Sequence, residues 1–151
     1  MNRLEKKLPP LALVIIVAIL MWLISKYAPL ILIPYRLGIV TLLVLIALGI
    51  IFFGLLAFWQ ARTTVDPRSP EAASELVISG IYKFTRNPMY LGFAVLLLAW
   101  AILLASAWSV LMIGVYILYL NRFQIYAEER ALTEIFGVKY QQYQAKVRRW
   151  L

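Results

Sequence analysis

The longest run without a charged side chain lies between Arg86 and Arg122 and holds 35 residues. One membrane crossing takes about 20 apolar residues in a helix. The run is too long for one such helix and suits a tight hairpin of two short ones, turning near Ser106, Trp108 and Ser109. Two further runs precede it: 18 uncharged residues between Lys7 and Lys26, and 25 between Arg36 and Arg62. Each fits a single helix. Pro29 and Pro34 separate them, since proline lacks the N–H and disfavours helix in the residue before it. Hydrophobic residues make up 64% of the chain, where soluble domains average about 45–50%. The expectation is an all-α polytopic membrane protein in one domain, with spans at about 8–25, 37–60, 88–105 and 108–126. A cytoplasmic connector at 61–87 and a cytoplasmic helical tail at 127–151 complete it.

The first run follows Arg3, Lys6 and Lys7, as in a secretory leader, but "MWLISKYAPL" after it is bulky and offers no small-residue cleavage site. It reads as a retained anchor. Orientation follows from the basic residues. Alternate flanks hold 13 Lys and Arg on one side and 2, Lys26 and Arg36, on the other. The positive-inside rule then places both termini and the connector in the cytoplasm. The net charge of +8 reflects this topology and attraction to anionic lipid. No interleaving of basic and aromatic residues favours nucleic acid.

The chain has no cysteine and no histidine. That removes disulfides, thiol nucleophiles, histidine acid–base chemistry and the usual zinc sites, and no metal centre is expected. The seven glycines form no G-x-G, so neither a Rossmann turn nor a P-loop is available. Gly38, Gly49 and Gly54 on the second helix suit close helix packing.

Two polar clusters remain. "TRNPM" sits at the start of the third span. Asn87 is placed to cap that helix, and Pro88 to occupy its first turn. Arg86 could snorkel to headgroups, and Tyr82 and Tyr90 suit an interface. A helix N-terminus in low dielectric also suits a carboxylate. The fourth span runs on through "YLNRFQIYAEERALTEIF". Asn121 and Glu128, like Arg122 and Glu129, are seven residues apart, which in a straight α-helix returns to nearly one face. On composition alone, a solvated charged face is the reading favoured for this cluster. Both clusters fall on the cytoplasmic side, and a break at Gly137 starts a second short tail helix.

In order and separation, "SGIYKFTRNPMYLG" and "EERALTEIFGVKYQQYQAKVRRWL" resemble the isoprenylcysteine carboxyl methyltransferase and phospholipid methyltransferase superfamily of integral membrane enzymes. Gly80, Tyr82, Lys83, Arg86, Pro88, Tyr90 and Gly92 match its first block; Glu128, Glu129, Leu132, Phe136, Gly137, Tyr140 and Tyr143 match its second. The resemblance implies S-adenosylmethionine as cofactor and methyl donor, held between the third and fourth helices and the tail. By position it implies cofactor contacts from Tyr82, Arg86, Asn87, Tyr90, Gly92, Glu128 and Glu129. Asn87 stands where the family often has histidine, and Ile81 where proline is common. Asparagine cannot titrate, so acid–base work at that position is excluded while binding is not. Glu128 or Glu129 could assist an amine acceptor; no catalytic residue is otherwise assigned. The acceptor expected is small and hydrophobic or lipid-like: a carboxylate, thiol or amine headgroup. Lys146, Arg148 and Arg149 could hold an acidic headgroup or attract the membrane surface. Two rivals stay open: an NADPH-dependent membrane reductase related to sterol reductases, and a non-catalytic membrane module. The oligomeric state is not fixed by the sequence.

Overall fold

The structure, a computed structural model, describes residues 8–61 and 75–151. These are helical, with no strand among them. The helices are α1 (Pro10–Ser25), α2 (Arg36–Gln60), α3 (Pro88–Leu104), α4 (Ala107–Tyr119), α5 (Tyr126–Phe136) and α6 (Val138–Lys146). A 3-10 turn, Gly80–Lys83, precedes α3, and a π turn, Leu120–Ile125, joins α4 to α5 without a break. The helix that starts at Ala107 runs on without a break to Phe136. The expected connector falls largely on 62–74, and the N-terminal Arg3, Lys6 and Lys7 on 1–7, outside the described residues.

Local chemistry sets the boundaries. Proline occupies the first turn of α1 and of α3, where a missing N–H costs nothing. The α3–α4 hairpin turns on Ala105, which adopts φ 51°. Ser106 then caps α4 by accepting from the Ser109 amide at 3.4 Å. The turn thus falls where Ser106 and Ser109 interrupt the longest apolar run. Gly137, at φ 52° and ψ −127°, separates α5 from α6, a conformation that glycine tolerates and other residues rarely adopt.

The core lies among α1, α3 and α4. Leu13, Val17 and Met21 recur every four residues along α1 and are buried with Tyr90, Leu97, Ala101 and Tyr116. Buried polar groups are paired across helices. Trp100 Nε1 donates to the Ala18 carbonyl at 3.0 Å, and Ser109 Oγ to that of Met21 at 3.1 Å. Such pairing matters because an unmet polar group in this environment costs several kcal/mol.

α2 stands on the other side of α3 and buries only Ala47, Gly54 and Ala57. Leu42, Leu45, Phe52, Phe53 and Trp59 remain exposed. An apolar helix with so little covered surface suits lipid as its solvent. The α2–α3 contact is close at two glycines. A Cβ at Gly92 would meet Ile51 Cγ1 at 2.5 Å and the Ala47 carbonyl at 3.1 Å; one at Gly54 would meet Met89 Cγ at 3.2 Å. Gly38 and Gly49 have nothing within 4 Å, so of the three α2 glycines only Gly54 serves packing. Among the described residues, two helices are long and apolar enough to cross a bilayer, Arg36–Gln60 with 25 residues and the continuous Ala107–Phe136 with 30. α1 and α3 are apolar but shorter, at 16 and 17 residues.

Candidate active site at the α3–α5 junction

The start of α3, the α5 helix and the last residues of the chain meet in one polar cluster. The π turn decides which side chains take part. A π turn takes more residues per turn than an α-helix, so the seven-residue register from Asn121 to Glu128 slips. The two do not share a partner. Asn121 Oδ1 accepts from Trp150 Nε1 at 3.1 Å, while Glu128 turns to α3. Arg122 is likewise exposed, against Phe123, whereas Glu129 is mostly covered.

Glu128 Oε1 accepts from Tyr90 Oη at 2.6 Å and from Gln124 Nε2 at 2.5 Å. Gln124 precedes Glu128 by four residues, one helical turn, and is buried. Glu129 faces two guanidiniums. Arg86 Nη2 lies 3.1 Å from Oε1, and Arg149 approaches with Nε at 3.1 Å from Oε1 and Nη2 at 2.5 Å from Oε2. The Arg149 fork is bidentate, the strong geometry for an arginine and a carboxylate. Its pairing with Glu129 raises the Arg149 pKa above its ordinary value.

The Asn87 side chain does not cap α3. Its Nδ2 donates to the Arg149 carbonyl at 2.9 Å, and Thr85 Oγ1 donates to the same oxygen at 3.2 Å. The Arg86 amide donates to the Arg148 carbonyl at 3.1 Å. Residues 147–150 thus run as a strap across the "TRN" segment. The strap carbonyl holds the Asn87 amide by its Nδ2, and the side-chain oxygen makes no capping bond to the α3 amides.

Three tyrosines form the wall behind Arg86. Tyr143 Oη donates to the Tyr82 carbonyl at 2.7 Å, tying α6 to the 3-10 turn. Burial, followed by the charge of Glu129, pushes Tyr140 up to about 12; Arg86 opposes the rise. Burial likewise raises Tyr82 and Tyr143. Arg86 itself is 12% exposed, and its Nε and Nη1 are buried with no hydrogen-bond partner among the described residues. Two buried guanidinium donors without an acceptor call for an anionic or carbonyl group.

Of the residues expected at the site, Arg86, Asn87, Tyr90, Glu128 and Glu129 gather in this cluster, and Tyr82 joins it through Tyr143. Gly92 packs against α2 instead. Gln124, Thr85, Arg149 and Trp150 belong to the cluster and were not expected. Gln124 carried a signal, its spacing of four from Glu128. Arg149 carried none, since 20 residues separate it from Glu129.

A family model described as phospholipid methyltransferase matches residues 35–139. The chain belongs to the phospholipid methyltransferase family. The matched span runs from the start of α2 into the first turn of α6 and includes the first block and the second as far as Gly137. A 63-residue segment is 44% identical to an uncharacterized protein of Haemophilus influenzae, covering 42% of this chain and 100% of that one. A 72-residue segment is 36% identical to protein-S-isoprenylcysteine O-methyltransferase of Schizosaccharomyces pombe. That match covers 48% of this chain and 30% of the yeast protein. No solved structure matches the chain. Family and fold together support a membrane methyltransferase of this family. The 147–150 strap lies beyond the family match.

Proposed function

We propose that this phospholipid methyltransferase family member transfers a methyl group from S-adenosylmethionine to a small hydrophobic or lipid-like acceptor at the cytoplasmic membrane face. The observation that carries the reading is the charge layout around Arg86. Two unpartnered guanidinium donors belong to an arginine ion-paired with Glu129, whose neighbour on α5, Glu128, faces Tyr90. A zwitterionic amino acid fits such a pair: its carboxylate against Arg86, its ammonium against Glu128 or Glu129. The residues present therefore fit the methionine end of the cofactor.

Bound S-adenosylmethionine supplies a methyl group already activated by its sulfonium. The chain's own work is then to bind, align and exclude water. Arg86 and the paired glutamates orient the amino acid end. Tyr90 and Gln124 hold the Glu128 carboxylate in place. The buried Tyr82, Tyr140 and Tyr143 keep that wall dry. A carboxylate or thiolate acceptor arrives deprotonated; an amine loses a proton, for which Glu128 or Glu129 is placed. An apolar acceptor body enters from the bilayer. An open groove of about 410 Å³ beside α2, lined by Phe53, Leu56, Ala57 and Phe84 among others, supports such a route.

The reading also takes α1 to α4 as four spans with both termini cytoplasmic. α1 and α3, at about 1.5 Å per residue, fall short of a hydrocarbon core about 30 Å thick. Local thinning and the flanking Lys26 would cover the difference.

Isothermal titration of the purified protein with S-adenosylmethionine and with NADPH tests the reading. Binding of the first alone is expected, and about tenfold weaker in Arg86→Lys, which keeps the charge but loses the planar fork. Binding of NADPH alone would point to a reductase.

A further inference from the structure

The strap at 147–150 occupies one carboxylate that the proposed reading gives to the ligand, Glu129, and the donors beside Arg86. Arg149 fills both oxygens of Glu129 with one guanidinium. Its carbonyl takes the donors of Asn87 and Thr85, and the Arg148 carbonyl takes the Arg86 amide. Trp150 anchors the end on Asn121 and against the core. Arg148, one residue earlier, is exposed, as is Lys146. Only Arg149 turns inward.

We propose that Arg149 is an internal competitor for the cation of the ligand, and that the strap is a latch which opens when a ligand ammonium takes Glu129. This rests on the reading of Glu129 as a ligand carboxylate. The competition follows from valence. Glu129 already serves Arg86, and a carboxylate shared by two guanidiniums has little room for a third cation. Arg86 is held more deeply, at 12% side-chain exposure against 31% for Arg149, so Arg149 is the partner that leaves. Once it leaves, the Arg149 carbonyl is no longer fixed over Asn87, and the donors of Asn87 turn to the ligand. By reciprocity, whatever loosens Arg149 tightens the ligand by the same factor.

The chain has no cysteine and Leu151 is exposed, so Leu151→Cys accepts a single spin label at the end of the strap. The label is expected to be immobile in the otherwise unchanged protein and mobile at saturating S-adenosylhomocysteine, which carries the same ammonium and carboxylate. It is expected to be mobile without ligand in Arg149→Gln and in Glu129→Gln. Titration of Arg149→Gln should show S-adenosylhomocysteine bound about fivefold or more tightly than by wild type. Weaker binding by Arg149→Gln would make Arg149 a fixed wall of the site and overturn the latch, as would a label that stays immobile with ligand bound. The two readings fail separately. If wild type binds no S-adenosyl compound the proposed cofactor falls, and the latch is then decided by the ligand-free label, which overturns it by staying immobile in both variants.

Discussion

Tyr90 on α3 and Glu128 on α5 are joined by a 2.6 Å hydrogen bond across 38 residues of sequence. The bond links the two motif blocks directly, one side chain from each. It depends on the α3–α4 hairpin, which brings the end of the fourth helix back beside the start of the third.

Tyr90→Phe removes that bond and keeps the one from Gln124 to Glu128. A hydrogen bond to a charged acceptor is worth about 1.5–3 kcal/mol. Affinity for S-adenosylmethionine is expected to drop about tenfold, with helix content unchanged. Titration calorimetry and circular dichroism check the two halves; undiminished affinity would remove Tyr90 from the site.

Gly92→Ala forces a Cβ to within 2.5 Å of Ile51 Cγ1 and 3.1 Å of the Ala47 carbonyl. Overpacking of this kind costs about 1–3 kcal/mol. Gly49→Ala, with nothing within 4 Å, gains up to about 1 kcal/mol of helix propensity. Thermal unfolding in one detergent should therefore shift down for the first variant and hold or rise for the second. Equal shifts would mean that α2 and α3 do not pack through Gly92.

Alkaline pH should loosen the tail. The Tyr140 pKa is raised from 10.0 to about 12, so between those values the folded form holds a proton that the unfolded chain has lost. Stability then decreases as pH rises through that window and is fully present below it. Tyr82 and Tyr143 act in the same direction. Denaturant titrations at stepped pH should show a negative slope above about pH 10, shallower in Tyr140→Phe. An unchanged slope would place the Tyr140 hydroxyl in contact with water.

Topology can be read with reporter fusions, one after Leu151 and one within 106–109. The basic asymmetry of 13 against 2 leads to opposite sides, with the C-terminus cytoplasmic. The same side for both would abolish the hairpin crossing on which the four-span reading depends.

The sequence by itself determined the helices. Charge-free runs and the proline at the start of α3 act locally, within a turn or two, so their effect is visible without a partner. It also determined the family, because Arg86, Tyr90, Glu128 and Glu129 stand in two ordered blocks. What the tertiary structure decided is who meets whom. The π turn at Leu120–Ile125 shifts the face of α5, and no residue in "LNRFQI" announces it. Gly92 sits inside the first block, yet the approach of α2 makes it a packing residue. Arg149 reads as one of several tail cations, and only the fold carries it back over 20 residues to Glu129. Local rules fix backbone geometry within a few residues. Pairing across tens of residues depends on how the helices settle against one another, and that is a property of the packed chain.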